Sequence, residues 1–260
     1  MAPSKTASKK ATPANDDNEA ADLPVFFKKP HILDAKRHAK AGISSSTGFS
    51  FARESNSMPL TLIEFAEAAK SYPIVFAPGT QMLPAVVVGL EKTNYFVNNK
   101  GEWARHNYIP AHARQYPFIF FEQPEEDRFF LCVDEASPQF QMERDEAAEP
   151  LYTDDGVPSE LGKRALEFCT QCYQQHLLTR EFCDDLQKYQ LLAPFQSEAT
   201  LNSGKKLQLG GFMMINEEAV NALTDDAIVA LRKKGWLPAI YFALASMSNW
   251  QRLVDLAPQK

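Results

Sequence analysis

Two cysteines and a histidine at one-turn spacing are the first candidates for chemistry in this sequence. Cys169 and Cys172 form a C-x-x-C pair, His176 follows one helical turn later, and Cys183 lies further on. These side chains could hold zinc, but structural zinc usually takes ligands from two separate knuckles, and the sequence has no second C-x-x-C. The same residues extend an apolar helical stripe with Phe168, and a buried free cysteine behaves as a small hydrophobe. We therefore expect core thiols, with no metal and no cofactor.

A carboxylate pair is the second candidate. Asp134 and Glu135 directly follow the apolar run Phe129 to Val133, and two carboxyl groups in one site could act as an acid/base pair. Strand side chains alternate between faces, so the two groups should point apart, which argues against such a pair. We expect Asp134 to meet an arginine, such as Arg53 or Arg114, at the end of a sheet and Glu135 to be solvated.

Two arginines are the third candidate. Arg53 and Arg114 are single cations flanked by aromatic residues and prolines. A guanidinium in such a setting either pairs with a buried carboxylate, which is a structural role, or clamps an anionic ligand. Both interpretations remain open from the sequence.

The common catalytic signatures are missing. The sequence has no G-x-S-x-G elbow, no Walker loop, no G-x-G-x-x-G turn and no H-E-x-x-H helix. The five histidines lie in five different local contexts, and His31, Asp34 and His38 lack the spacing of an iron-binding facial triad. We expect these histidines to lie on the surface.

Composition along the chain predicts where structure begins. Residues 1–24 contain almost no large apolar side chain, so burial cannot offset the entropy of ordering them, and we expect a disordered tail. The chain as a whole is 45% hydrophobic, enough to bury a sizeable core. We expect residues 25–260 to form a single globular domain, with the acidic connector 137–157 as a candidate sub-boundary.

Patterning in the N-terminal half predicts an antiparallel meander with packed helices. A helix capped by Thr61 should end before Pro73, and short β-rich runs follow between residues 74 and 97. Residues 117–121 and 129–133 read as a hairpin. Because both faces of each strand carry bulky apolar groups, we place both strands in the middle of a covered sheet.

Patterning in the C-terminal half predicts helices and a second hairpin. Residues 159–177 and a segment capped by Thr179 should form two antiparallel helices, a helical hairpin. A second β-hairpin covers residues 194–216, and a helix runs from Thr224 to Gly235. Residues 237–245 fit both the strand period and the helix period. We interpret them as a strand that ends at about Ala245, with a helix after it. The predicted class is α+β.

Charge and hydropathy exclude several classes of function. The net charge is −6. Residues 122–155 include twelve acidic residues and two arginines, which gives a local net charge of −10. Such a surface repels a phosphate backbone, so we expect no nucleic-acid partner. No run approaches the roughly 18 apolar residues of a membrane span, and the N-terminus lacks the apolar segment of a secretory signal. We expect no membrane span and a cytoplasmic protein.

Five stretches carry motifs in a fixed order along the chain: FSFARESNSMPLTLIEFAEAAKSYPIVFA, WARHNYIPAHARQYPFIFF, LCVDEASP, LGGFMMINEEAVNAL and LPAIYFALASMSNWQRL. Together, from about Phe49 to Leu253, they resemble the SapC family of bacterial proteins. The family is named for its association with surface-layer protein systems, and no established activity, cofactor or catalytic residue comes with the name. Cys169 and Cys172 fall outside the resembling blocks.

The resemblance implies which residues would line a functional surface. The matching blocks contain seven aromatic or charged candidates for ligand binding: Arg53, Tyr72, Arg114, Tyr116, Asp134, Glu135 and Phe212. One hypothesis is a cytoplasmic accessory or binding protein that engages a peptide, a protein client or a small anion through an aromatic, arginine-rich cleft. The alternative is an enzyme of unrecognised chemistry that uses a carboxylate of the pair with Tyr116 or Arg114. A deep pocket on which both carboxylates converge would favour the enzyme, and a shallow apolar groove would favour binding.

Overall fold

A computed structural model of the chain describes residues 23–45, 48–79, 81–123 and 128–258. The predicted disordered tail, residues 1–24, lies outside the described residues except for Leu23 and Pro24. No helix in the described part of the chain is long and apolar enough to cross a membrane.

Short strands dominate the first half of the chain and one long hairpin follows later. The described residues form these strands: β1 (Pro30–Ile32), β2 (Gly42–Ile43), β3 (Ser57–Pro59), β4 (Ile74–Phe76), β5 (Pro84–Val87), β6 (Phe118–Gln123), β7 (Arg128–Asp134), β8 (Phe140–Gln141), β9 (Glu149–Pro150), β10 (Leu192–Thr200) and β11 (Lys206–Ile215).

Helices are short except for one. The α-helices are α1 (Phe65–Ala68), α2 (Ala111–Gln115), α3 (Glu160–Lys188), α4 (Glu217–Asn221), α5 (Asp225–Lys234), α6 (Leu237–Ala245) and α7 (Asn249–Leu256). Single 3₁₀ turns cover Ser50–Ala52, Leu62–Glu64 and Ser246–Ser248.

The strands pair into three antiparallel sheets. The largest has the order β10-β11-β4-β5-β3, and two smaller sheets have the orders β1-β7-β6 and β8-β2-β9. Helices pack against these open sheets, which confirms the predicted α+β class with an antiparallel meander. Both predicted hairpins, β6–β7 and β10–β11, are present. Strand β7 is central in its sheet, whereas β6 lies at the edge, so the expectation that both strands are central is wrong for β6.

Helix α3 joins two hydrophobic clusters. Its first half contributes Ala165 and Cys169 to a small cluster around Phe118 and Val133. Its second half contributes Phe182, among others, to the large cluster under the five-stranded sheet. Helix α3 therefore packs against both clusters, and two cavities of this fold lie beside it.

The predicted helical hairpin is wrong, because α3 is one continuous helix of 29 residues. Thr179, predicted to cap a second helix, lies inside α3, where its hydroxyl donates to the carbonyl of Gln175 and accepts from the Leu62 amide. A threonine inside a helix can bond to the carbonyl four residues earlier, so a cap residue does not by itself break the helix. No glycine or proline occurs between Lys163 and Ala193 to interrupt it.

The predicted strand at residues 237–245 is also wrong, because this segment is helix α6. Pro238 lies in the first turn, where proline is tolerated, and Ala239, Ile240 and Ala243 are buried. That spacing is one helical face, and small alanines let α6 approach α1 closely.

Helix termini follow their local signals. Thr61 and Glu64 form a reciprocal capping box at the 3₁₀ turn before α1. Thr224 caps α5 by accepting from the Ala227 amide, and Gly235 ends it with φ of 80°, a left-handed conformation that glycine adopts without strain. These boundaries were predicted from sequence and are confirmed.

Candidate functional site

Asp134 is fully buried at the end of β7 and binds backbone rather than a cation. Its carboxylate accepts hydrogen bonds from the amides of Lys28 (3.1 Å), Lys29 (2.7 Å) and Ala136 (3.1 Å) and from the Tyr116 hydroxyl (3.1 Å). A buried carboxylate with several N–H and O–H donors is satisfied without an opposite charge. The predicted arginine partner for Asp134 is therefore wrong.

Glu135 is the carboxylate that meets an arginine, and the prediction that it is solvated is wrong. Only 6% of its side chain is exposed, and Arg37 donates to both oxygens, from Nε at 2.7 Å and Nη2 at 3.0 Å. His38 lies at 3.3 Å, His31 at 3.5 Å and Lys29 at 3.6 Å. Burial raises the pKa of Glu135, but Arg37 and the histidines outweigh it and lower the pKa to about 2.

His38 has a defined tautomer. Its Nδ1 accepts the Asp34 amide, so the ring proton lies on Nε2 and donates to Glu135. The ring is fully buried, which contradicts the expectation that the histidines lie on the surface. A satisfied core histidine of this kind positions a carboxylate and holds two chain segments together.

The two carboxylates bind the same N-terminal segment. Asp134 holds the amides of Lys28 and Lys29, while Glu135 binds side chains between Lys29 and His38. Strand β1 pairs with β7 between these two anchors. Neither carboxylate lines any of the three cavities described for this chain. They anchor the N-terminal segment to the sheet and do not converge on a substrate.

The remaining predicted site residues are dispersed. Arg53 is exposed and donates to Asn99, and Phe212 lies in an aromatic stack with Phe195 and Trp250. Tyr72 is buried in the large cluster. Within the described ranges, no hydrogen bond, ion pair or ring contact joins these three residues to Asp134 or Glu135.

Two of the predicted residues meet at Tyr108. The Tyr72 hydroxyl donates to the Tyr108 carbonyl and accepts from Trp103 Nε1, and Arg114 donates to the Tyr108 hydroxyl. Tyr116 similarly belongs with Asp134. The structure thus brings together two separate pairs from the predicted set rather than one cleft.

Glu64 is a buried carboxylate that the sequence interpretation missed. One oxygen accepts from the amide and hydroxyl of Thr61, and the other from the Tyr108 hydroxyl (3.0 Å) and the Ala111 amide (2.6 Å). Glu64 therefore caps two elements at once, its own turn and the start of α2. The T-x-x-E spacing was a usable signal for the first role, but nothing local points to the second.

An apolar groove of 390 Å³ opens between α3, α2 and the β6–β7 hairpin. This volume falls in the ordinary range of roughly 300–1,000 Å³ for ligand pockets. Its walls are mostly apolar side chains from six elements or their ends, and the main ones are Leu60, Leu83, Ile119, Phe120, Phe129 and Tyr173. Phe129 and Tyr173 are in ring contact at 4.2 Å.

The polar groups of the groove are neutral or already bonded. Glu64 and Thr179 are engaged as described above, and His112 bonds the Val25 carbonyl, while burial lowers its pKa. Cys172 and His176 make no hydrogen bond within the described residues. Burial raises the pKa of Cys172 to about 11 and lowers that of His176, so both are uncharged at neutral pH.

The cysteines have the environment of core thiols. Cys169 and Cys183 are buried, and burial raises the pKa of each to about 12. A protonated thiol in apolar surroundings is a poor nucleophile and a poor metal ligand. Among the described residues, no group of three or more His, Cys, Asp or Glu side chains is arranged to hold a metal ion.

The described residues form an α+β fold with a ligand-sized apolar groove beside helix α3. Comparison with protein-family models then matches residues 33–253 to SapC, which is most of the chain, and the protein belongs to the SapC family. Comparisons with curated proteins and with solved structures find no match.

Proposed function

We propose that this SapC-family protein is a binding protein that holds an apolar, extended peptide segment of a client protein in the apolar groove. The observation that carries the proposal is the chemistry of the groove. It combines apolar walls with two uncharged, unbonded polar groups, Cys172 and His176. Transfer of an apolar side chain from water into this groove is favourable. A neutral thiol and a neutral imidazole can hydrogen-bond to a peptide backbone, which carries no charge.

The groove lacks the parts that a hydrolytic or acid/base enzyme would need. Its one carboxylate, Glu64, already accepts four hydrogen bonds, and its thiol carries a proton at neutral pH. Asp134 and Glu135, the carboxylates of the enzyme alternative, lie outside it. These features favour binding over catalysis.

The family association suggests the kind of client. SapC proteins are named for surface-layer systems, so we propose a surface-layer or other surface protein as the client, bound in the cytoplasm as an apolar segment not yet buried in its own fold. Unfolded segments expose apolar side chains that a groove of this kind can cover.

A labelled peptide tests the groove directly. The probe is fluorescein-Gly-Ser-Gly-Ala-Val-Phe-Leu with an amidated C-terminus, and binding is followed by fluorescence anisotropy. Phe129→Ala together with Tyr173→Ala should weaken binding by about tenfold or more, since the two rings in contact form part of one wall. Tyr241→Ala is the matched control, because this aromatic side chain is 56% exposed on α6, outside the groove. Equal affinities for wild type and the double variant would contradict the proposal.

A further inference from the structure

A second cavity, which we call the arginine cavity, lies beside the apolar groove. It has a volume of 340 Å³, and two arginines, Arg114 and Arg164, line it. Gln115 and Cys169 line both cavities, so the two spaces are neighbours across the contact between α2 and α3. A chain occupying the groove could therefore have its next residues close to these cations.

Arg114 is held in place but is not neutralised. Its Nε donates to the Ile109 carbonyl at 3.0 Å and Nη2 donates to the Tyr108 hydroxyl at 3.1 Å. The guanidinium lies 5.2 Å from the centre of the Phe168 ring and 5.7 Å from that of Tyr108. These contacts fix the plane of the group.

Two of the five guanidinium N–H groups of Arg114 are used in this way. The other three have no partner among the described residues, and no carboxylate there lies within ion-pair distance of Arg114. Arg164, by contrast, pairs with Glu149 in an exposed ion pair at 2.6 Å. The cavity therefore keeps one oriented positive charge, in a chain whose net charge is −6.

The rest of the cavity is suited to an amphipathic ligand. Leu161, Ala165 and Phe168 of α3 supply apolar surface, and Gln139 and Ser45 supply polar groups. A ligand that combines a planar anion with an adjacent apolar group can satisfy both halves. Guanidinium and carboxylate match in geometry and form two parallel hydrogen bonds.

We propose that the arginine cavity binds the C-terminal α-carboxylate of a peptide whose last side chain is apolar, with Arg114 as the carboxylate ligand. The inference rests on the proposed function, because it names the chain end of the peptide held in the groove. The apolar end side chain lies against α3, and the three remaining N–H groups of Arg114 meet the carboxylate.

The test compares the peptide of the groove experiment with its free-acid form, using the full-length protein. Wild type should bind the acid at least about tenfold more tightly than the amide. Arg114→Gln should bring this acid-to-amide ratio close to one. The matched control, Arg53→Gln, removes an exposed arginine that donates to Asn99 and should keep the wild-type ratio.

Folding is checked separately, since Arg114 also bonds Ile109 and Tyr108. Arg114→Lys keeps the charge but loses the planar fork, so it should lower the ratio several-fold, and each variant should melt close to wild type. If Arg114→Gln does not fold, the acid-to-amide ratio of Arg114→Lys alone tests the inference.

Three outcomes would overturn the inference. The first is equal binding of acid and amide to wild type, and the second is an unchanged ratio in a folded Arg114 variant. The third is dodecanoate displacing the free-acid peptide at concentrations where the amide is not displaced, with an affinity equal to the peptide's, which would assign the cavity to free apolar acids. Failure of the proposed function gives a different result. The amidated peptide would then not bind, or its affinity would be the same for wild type and for the double variant of Phe129 and Tyr173.

Discussion

At the scale of single residues, the adjacent carboxylates solve two different burial problems. Asp134 is satisfied by neutral donors, three of them backbone amides, whereas Glu135 is satisfied by Arg37 and by imidazole groups. Asp134 is the last residue of β7 and Glu135 lies in the turn that follows, and each side chain binds different groups of the N-terminal segment. A pair that resembles an acid/base site in sequence is thus a pair of anchors.

Glu135→Gln should lower the free energy of unfolding by about 1–2 kcal/mol at pH 7. The substitution removes the negative charge that pairs with the partly exposed Arg37 and with the basic side chains beside it. The folded-state pKa of Glu135, about 2, lies below its ordinary value of 4.5. The stabilisation is therefore fully present above pH 4.5 and is lost as pH falls towards 2. Urea unfolding across this range should show the difference between variant and wild type shrinking.

Glu146→Gln is the control for this measurement, since Glu146 is exposed and makes no ion pair within the described residues. It should match wild type at pH 7. A Glu135→Gln profile parallel to that of wild type down to pH 2 would show that the ion cluster adds no stability.

At the scale of elements, Thr179 lies inside the continuous helix α3 and connects that helix to another segment. Its hydroxyl satisfies the Leu62 amide at the start of the turn that precedes α1, and so joins the longest helix to the large cluster. An N-terminal amide of a turn has no partner within that turn, and here the partner comes from 117 residues away.

Thr179→Val should lower the free energy of unfolding by about 1–3 kcal/mol, because it keeps the shape of the side chain and leaves the Leu62 amide without an acceptor. Thr170→Val is the matched control. Its hydroxyl also bonds the carbonyl four residues earlier, that of Leu166, but the side chain is exposed and bonds no other segment among the described residues.

Guanidinium unfolding measures both threonine variants, and the control should change stability by less than about 0.5 kcal/mol. Amide hydrogen exchange gives a second readout, in which Leu62 should lose protection only in Thr179→Val. Equal effects of the two substitutions would mean that the bond to Leu62 adds nothing.

At the scale of the whole molecule, the N-terminal segment divides into a part that composition predicts to be dispensable and a part that the fold uses. Described contacts begin with Pro24, whose carbonyl accepts the Phe27 amide, and continue with the Val25 carbonyl at His112. The proposal of one folded domain over residues 25–260 makes this boundary testable.

A chain that begins at Leu23 should melt within a few degrees of the full-length protein, because residues 1–22 contain few apolar groups to bury. A chain that begins at Leu33 should melt at least about 5 °C lower, since it loses β1 and the amides that bind Asp134. Calorimetry of the two truncated chains decides between them. A large loss of stability in the chain that begins at Leu23 would contradict the proposed boundary.

Local signals in the sequence determined the class, the family resemblance and many element boundaries. The two β-hairpins, the Thr61 cap and the helix from Thr224 to Gly235 depend on residues within a few positions of one another, so short-range patterning predicts them. The SapC motifs are likewise contiguous, and the family match covers residues 33–253.

Tertiary structure alone decided the partners of the buried charges and the existence of the cavities. Asp134 bonds an amide 106 positions away, and Glu135 bonds an arginine 98 positions away. The apolar groove draws its walls from segments between Pro24 and Thr179. Helix α6 and the unbroken α3 also followed from packing, which overrides weak local preferences when burial on one face stabilises the other conformation. Patterning says which side chains must be buried, but only the assembled chain determines what each one meets.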